Sequence, residues 1–253
     1  MRIKDFDALV RGILPIERME GVDKAVNGLQ VTRRDPEISR MAFAVDASLE
    51  SFKRAAAWGA DLLFTHHGLF FGGPRPLTGV LYERVLFLSE HQLALYSVHL
   101  PLDMHPELGN NAELARLLGL RELTGFGRYH GVDIGIKGIL PEELTLAEIS
   151  GRLGVESPAA PRCLAFGRAK IKSVGIVSGG AATDVREAIH ENLDLFITGE
   201  ASHDIYHECA EAGINVLFAG HYLSEAPGVK AFQKIIAQKT GLETCFIDIP
   251  TGM

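Results

Sequence analysis

Six residues of this 253-residue chain combine metal-binding side chains with a spacing that repeats. His66 and His67 are adjacent, His99 has Asp103 four positions on, and His221 has Glu225 four positions on. Imidazole and carboxylate without thiolate is the ligand mix of first-row divalent cations rather than of a structural zinc knot. The set is larger than a closed one-metal site needs. A carboxylate can bridge two ions, and ions about 3.5–4 Å apart are a recurring hydrolytic device. Such a pair lowers the pKa of bound water, holds a hydroxide between the ions and clamps the substrate's oxygens. A His-His pair alone would read equally well as two surface residues in a turn. What separates the readings is where the other elements of the chain end.

Those elements follow a strand–helix rhythm. Asp5–Leu14 reads as an amphipathic helix stopped by Pro15. Gly28–Val31 and Met41–Val45 read as strands, and Ser48 and Gly59 as the cap and the end of a helix over Leu49–Trp58. The apolar run Leu62-Leu63-Phe64 reads as a buried parallel strand ending at Thr65, just before His66-His67-Gly68. Pro74 and Pro76 mark a loop, Gly79–Glu90 a helix, and Leu93–Val98 a strand running into His99. Asn110–Leu118 is a helix closed by Gly119, Val132–Ile139 an alternating strand, and Thr145–Leu153 a short helix. Ligands in open α/β sheets bind beyond the carboxyl ends of the strands, which is where these histidines fall.

The rhythm also repeats internally. Ala42–Thr65 reads strand, helix, then Asp61-Leu62-Leu63-Phe64-Thr65; Val174–Thr198 reads strand, glycine-rich turn, helix, then Asp194-Leu195-Phe196-Ile197-Thr198. Each half next runs through a helix and a strand to a histidine, His99 in one and His221 in the other. The expected fold is therefore α/β: two topologically similar domains, an internal duplication with mainly parallel sheets flanked by helices, over about 1–125 and 126–253. If a helix starts near Ser224, His221 and Glu225 project from a turn and its first helical turn towards one point. Ser178–Ala182 is a glycine-rich turn of the kind that can bind phosphate, although a plain tight turn between strand and helix explains it as well. Glu200 and His203 are pocket-lining or hydrogen-bonding residues, and His91, His130 and His190 read as surface residues.

Composition narrows the function classes. The net charge of −7 and the absence of a Lys/Arg run argue against a duplex binder but leave a nucleotide-sized substrate open. Cys163, Cys209 and Cys245 are scattered and odd in number, so a reducing cytoplasm fits better than a disulfide framework. The first residues lack a signal-peptide core, and no apolar run approaches the roughly 18 residues of a membrane span.

Over nearly its whole length the chain resembles the GTP cyclohydrolase type 2 homolog family, the Nif-three-like dinuclear metal proteins. The resemblance is carried by Asn27-Gly28-Leu29-Gln30-Val31, His66-His67-Gly68-Leu69-Phe70, His99-Leu100-Pro101-Leu102-Asp103, Gly109-Asn110-Asn111, Thr198-Gly199-Glu200 and Gly220-His221 through Glu225-Ala226-Pro227-Gly228. It implies that His67 and Asp103 hold one ion, His66 and His221 the other, with Glu225 bridging and His99 close by, either behind the ligands or in proton transfer, rather than a ligand itself. Tyr222 stands where many members carry a second histidine. The resemblance further implies that the two domains are interlinked, with the C-terminal segment packing on the first, and that the protein forms a ring-shaped hexamer. The family's name suggests ring-opening of a guanine nucleotide, and a metal-dependent hydrolase acting on a nucleotide or another phosphorylated small molecule is the expectation. Zinc, manganese, iron and nickel all accept such ligands. The alternative is a metal-bearing ring without catalysis that binds a protein or nucleic-acid partner.

Overall fold

The computed structural model describes residues 1–73, 75–155 and 162–253, so Pro74, one of the expected loop prolines, lies outside the described residues. The opening segments form α1 (Ile3–Ile13), β1 (Gly28–Val31), β2 (Arg40–Asp46), α2 (Leu49–Trp58) and β3 (Leu62–His67). Next come α3 (Gly79–Glu90), β4 (Ala94–Ser97), α4 (Leu100–Asp103) and α5 (Asn110–Leu118). A long hairpin of β5 (Arg121–Tyr129) and β6 (Val132–Leu144) leads to α6 (Leu146–Arg152), β7 (Cys163–Ala165) and β8 (Ile171–Ile176). The chain closes with α7 (Val185–His190), β9 (Leu195–Thr198), α8 (Tyr206–Ala212), β10 (Asn215–Phe218), α9 (His221–Thr240) and β11 (Glu243–Phe246).

Two compact units divide the chain: Met1–His105 with Val229–Ile249, and Pro106–Gly228 with Pro250–Met253. In the first unit the strand order is β1-β4-β3-β2-β11, with β4, β3, β2 and β11 parallel and β1 antiparallel on the edge. Leu63 faces a core with Phe52, Ala55 and Leu88. Phe64, on the opposite face, packs against Phe43, Tyr96 and Phe232 with ring centroids 4.8–6.2 Å apart. Both faces are covered, and this is why β3 is a continuous apolar run rather than an alternating one. The α2 caps follow the sequence: the Ser48 hydroxyl accepts from the Ser51 N–H, and Gly59 ends the helix at φ 80°.

In the second unit the order is β5-β6-β8-β9-β10-β7. Here β8, β9 and β10 are parallel, whereas β7 and the β5–β6 hairpin add antiparallel pairs on either side. The internal repeat is explicit in the topology, β1-β4-β3-β2 matching β7-β10-β9-β8. It extends to single side chains. Asp61 accepts from the N–H groups of Ser39 and Arg40 as β2 begins, and Asp194 accepts from those of Lys172 and Ser173 as β8 begins. Two strand ends differ from expectation. Parallel pairing with β2 continues to the Asp46–His67 register, so β3 takes in both histidines instead of stopping at Thr65. Helix α9 starts at His221 rather than Ser224, which places His221 and Glu225 one turn apart on the same helix.

Candidate metal centre

In the first unit His66, His67 and His99 bring one ring nitrogen each within 4.8 Å of one another. Their ring centroids are 4.7–5.7 Å apart. Neighbours on a strand ordinarily face opposite sides; the rings of His66 and His67, the last two residues of β3, nevertheless lie 4.7 Å apart. Gly68 follows, and the Gln30 amide occupies the space of its missing side chain: a Cβ there would come within 2.1 Å of Gln30 Nε2. A side chain at this position of His-His-Gly would have to displace the Gln30 amide. Gln30 Oε1 in turn accepts from the Leu69 N–H at 2.7 Å. The carboxylate of buried Asp103 lies 3.4 Å from His66 Nε2. In the second unit His221 Nε2 lies 3.2 Å from Glu225 Oε2, and Glu225 is 3 % exposed.

One pattern joins all four imidazoles. His66 Nδ1 meets the Val98 carbonyl at 3.1 Å, His67 Nδ1 meets Asp46 at 2.8 Å, His99 Nδ1 meets Asp23 at 2.9 Å, and His221 Nδ1 meets Glu200 at 2.7 Å. Carbonyl and ionised carboxylate oxygens only accept, so each Nδ1 carries the proton and donates. A neutral ring then has its lone pair on Nε2. Holding Nδ1–H on a carboxylate or carbonyl is how metal-binding histidines are oriented and made more basic.

The family pattern described as DUF34/NIF3 (NGG1p interacting factor 3) matches residues 1–252. The chain belongs to the DUF34/NIF3 family. It is 40 % identical to a "GTP cyclohydrolase 1 type 2 homolog" of Treponema pallidum over all of both chains, and 44 % identical to one of Archaeoglobus fulgidus over 91 % of this chain and 92 % of that protein. Among solved structures, TTHA1606 from Thermus thermophilus superposes with a TM-score of 0.90 at 35 % identity, and protein ybgI with 0.89 at 31 %, each covering both chains completely.

The donors of this DUF34/NIF3 chain fit divalent cations by their chemistry. The two imidazole–carboxylate pairs, at 3.4 Å and 3.2 Å, bring both kinds of donor together within each unit. Three side chains that orient histidines were not legible as such. Asp46 and Glu200 sit at strand ends like the ligands, a usable signal, but Asp23 comes from an aperiodic turn and announces nothing. Its carboxyl is held below the usual range: burial pushes it up, and hydrogen bonds from His99, Asn27 and the Ala25 N–H more than offset that. His203 opens a short turn of helix and is exposed. His91, His130 and His190 are exposed as expected.

The glycine-rich turn after β8 is no phosphate cradle in this DUF34/NIF3 protein. The N–H groups of Ser178, Gly179 and Ala181 donate to Asn111, Ser224 and Thr198 at 2.8, 3.0 and 3.3 Å. Its glycines make room instead: a Cβ on Gly179 would come within 2.4 Å of Glu225 Oε1, and one on Gly180 within 3.4 Å of Glu200. At the end of the turn Asp184 is half-buried beside Glu187, and burial followed by that repulsion raises its pKa to about 6. The folded protein therefore binds a proton that the unfolded chain has released, and stability falls as pH rises from about 4 through about 6. Asp184→Asn is expected to stabilise the protein by about 1–2 kcal/mol at pH 7.5, after discounting for solvent screening, and to change little at pH 4. Urea titrations at the two pH values check this; equal effects at both would contradict it.

Proposed function

We propose that this protein is a metal-dependent hydrolase with two divalent cations per chain, acting on a nucleotide or another phosphorylated small molecule. In this reading His67 and Asp103 hold one ion, His66 and His221 the other, and Glu225 bridges them. The observation that carries the reading is the Nδ1 pattern: every imidazole of the set is anchored through Nδ1 by an acceptor, the way metal-binding histidines are oriented. Bound ions of this kind lower the pKa of coordinated water and neutralise charge on substrate oxygens. Asp46 and Glu200 hold His67 and His221 in the ligating tautomer. His99 takes or gives the proton in this reading, its ring held through Nδ1 on Asp23. The same reading makes the protein a cytoplasmic, ring-shaped hexamer. Among the described residues no helix is long and apolar enough to cross a membrane.

Metal analysis of protein purified without chelator tests the reading first, with two ions per chain expected. A screen of nucleotides, phosphoesters and cyclic amides with the reconstituted protein tests it second. Two ions without turnover of any of them would favour the metal-bearing module that binds a partner, and His67→Ala would then lose metal while keeping partner recovery.

A further inference from the structure

Asp23 lies in the turn before β1, far along the chain from His99, yet its side chain is only 2 % exposed and both oxygens are saturated. Oδ1 accepts from the Ala25 N–H at 2.9 Å and from His99 Nδ1 at 2.9 Å. Oδ2 accepts from Asn27 Nδ2 at 2.9 Å and from the Leu100 N–H at 3.1 Å. Asn27 Oδ1 completes the grip by accepting from the backbone N–H of His99 at 2.7 Å. The turn therefore holds one imidazole and the two N–H groups that open α4, the four-residue helix whose last residue is Asp103. A helix of one turn cannot hold itself in water, and His99, at its N-cap, provides no side-chain cap. What fixes the start of α4 is this distant carboxylate with its neighbouring amide.

We propose that Asp23 is a positioning residue of the centre: it locks His99 in the Nδ1–H tautomer with Nε2 as acceptor and, with Asn27, sets the origin of the segment that delivers Asp103. The inference rests on the reading above in giving His99 a proton to move, but the tautomer is a property of the chain itself. Substituting Asp23 by Asn puts an NH2 group opposite two donors whichever way the amide turns. Facing Ala25 and His99, it costs the Ala25 N–H its acceptor, and the clash with His99 is relieved by transferring the ring proton to Nε2, so that Nδ1 accepts instead. The analogous exchange beside a catalytic histidine is known to impose the wrong tautomer.

Long-range 1H–15N correlation spectra of the histidine rings test this at one fixed pH, on zinc-loaded protein and on the same protein after chelation. Loss of a signal in His99→Gln assigns the ring. The wild type is expected to show a protonated Nδ1 and an unprotonated Nε2 at His99. Asp23→Asn is expected to shift that ratio towards Nε2–H by about tenfold or more, and Asp23→Glu, which keeps an accepting carboxylate, to restore the wild-type pattern. A wild-type His99 protonated at Nε2 would overturn the proposal, and so would an Asp23→Asn spectrum with the wild-type tautomer. The wild-type spectrum and Asp23→Glu keep the inference exposed if Asp23→Asn fails to fold. A zinc-dependent shift of His99 Nε2 would end the proton-transfer role proposed for His99 while leaving the positioning role of Asp23 intact, so the two readings fail separately.

Discussion

If the proposed centre binds two divalent ions per chain, Glu225→Gln is expected to reduce them to one or none, with the fold retained. The substitution keeps shape and volume and removes the charge and one accepting oxygen. Glu225 is nearly inaccessible, its Oε2 is 3.2 Å from His221 Nε2, and the bare Cα of Gly179 gives its other oxygen room. A buried carboxylate held against a basic ring nitrogen serves a cation well. An amide there turns an NH2 towards the pair or loses the second negative oxygen that bridging needs. Losing an outer-sphere partner of a metal site typically costs 10–100-fold in affinity, and a shared ligand should cost at least about 100-fold. Titration with zinc after chelation reads the effect, and circular dichroism checks the fold. His130→Ala, an exposed histidine, is the control and should leave the metal content unchanged. Two ions retained at wild-type affinity in Glu225→Gln would remove the carboxylate from the ligand set.

Most of what the sequence made legible was local. Ser48 and Gly59 bracket α2, Thr145 caps α6 with a reciprocal bond from Glu148, and Gly119 closes α5, each through chemistry within a few residues. The repeat was legible because Asp61 and Asp194 do the same work at the same place in two sheets. Strand β5 went unread: residues 121–125 are exposed and mix charged, small and apolar side chains, and they pair because β6 lies alongside, not because of their own pattern. The extension of β3 through His67 likewise depends on its neighbour β2. At the site, residue types identified the imidazoles, and of the groups that orient them only Glu200 was anticipated, as a pocket-lining or hydrogen-bonding residue. Asp23 reaches His99 from another part of the chain, and nothing in its own neighbourhood marks it. Orientation is a long-range property here, and ligand identity a short-range one.

The same distinction governs two chemically identical substitutions. Gly199→Ala and Gly12→Ala each add one methyl group, and opposite outcomes are expected. Gly12 sits inside α1, and a Cβ added there would meet nothing within 4 Å, so alanine only removes unfolded-chain freedom and is expected to stabilise by about 0.5–1 kcal/mol. Gly199 follows β9 and is wedged between the turn after β8 and the first turn of α9. Its N–H donates to the Gly179 carbonyl at 2.9 Å, and its carbonyl accepts from the Gly220 N–H at 2.9 Å. A Cβ there would come within 2.7 Å of the Gly179 oxygen, 2.8 Å of His221 Cα and 2.9 Å of Ser224 Oγ. Two of those are backbone, so no rotamer relieves the contact, and the turn or the helix has to move. Overpacking of this kind costs about 1–3 kcal/mol, and weakening either hydrogen bond adds about 1 kcal/mol more. Gly199→Ala should therefore lose about 3 kcal/mol, a Tm lower by roughly 10 °C for a chain of this length. Since the displaced atoms include His221 Cα, metal affinity should fall with stability, whereas Gly12→Ala should leave it untouched. Thermal melts and metal titrations of the two variants separate these effects; a Gly199→Ala protein within about 0.5 kcal/mol of wild type would show that the turn yields where the packing says it cannot.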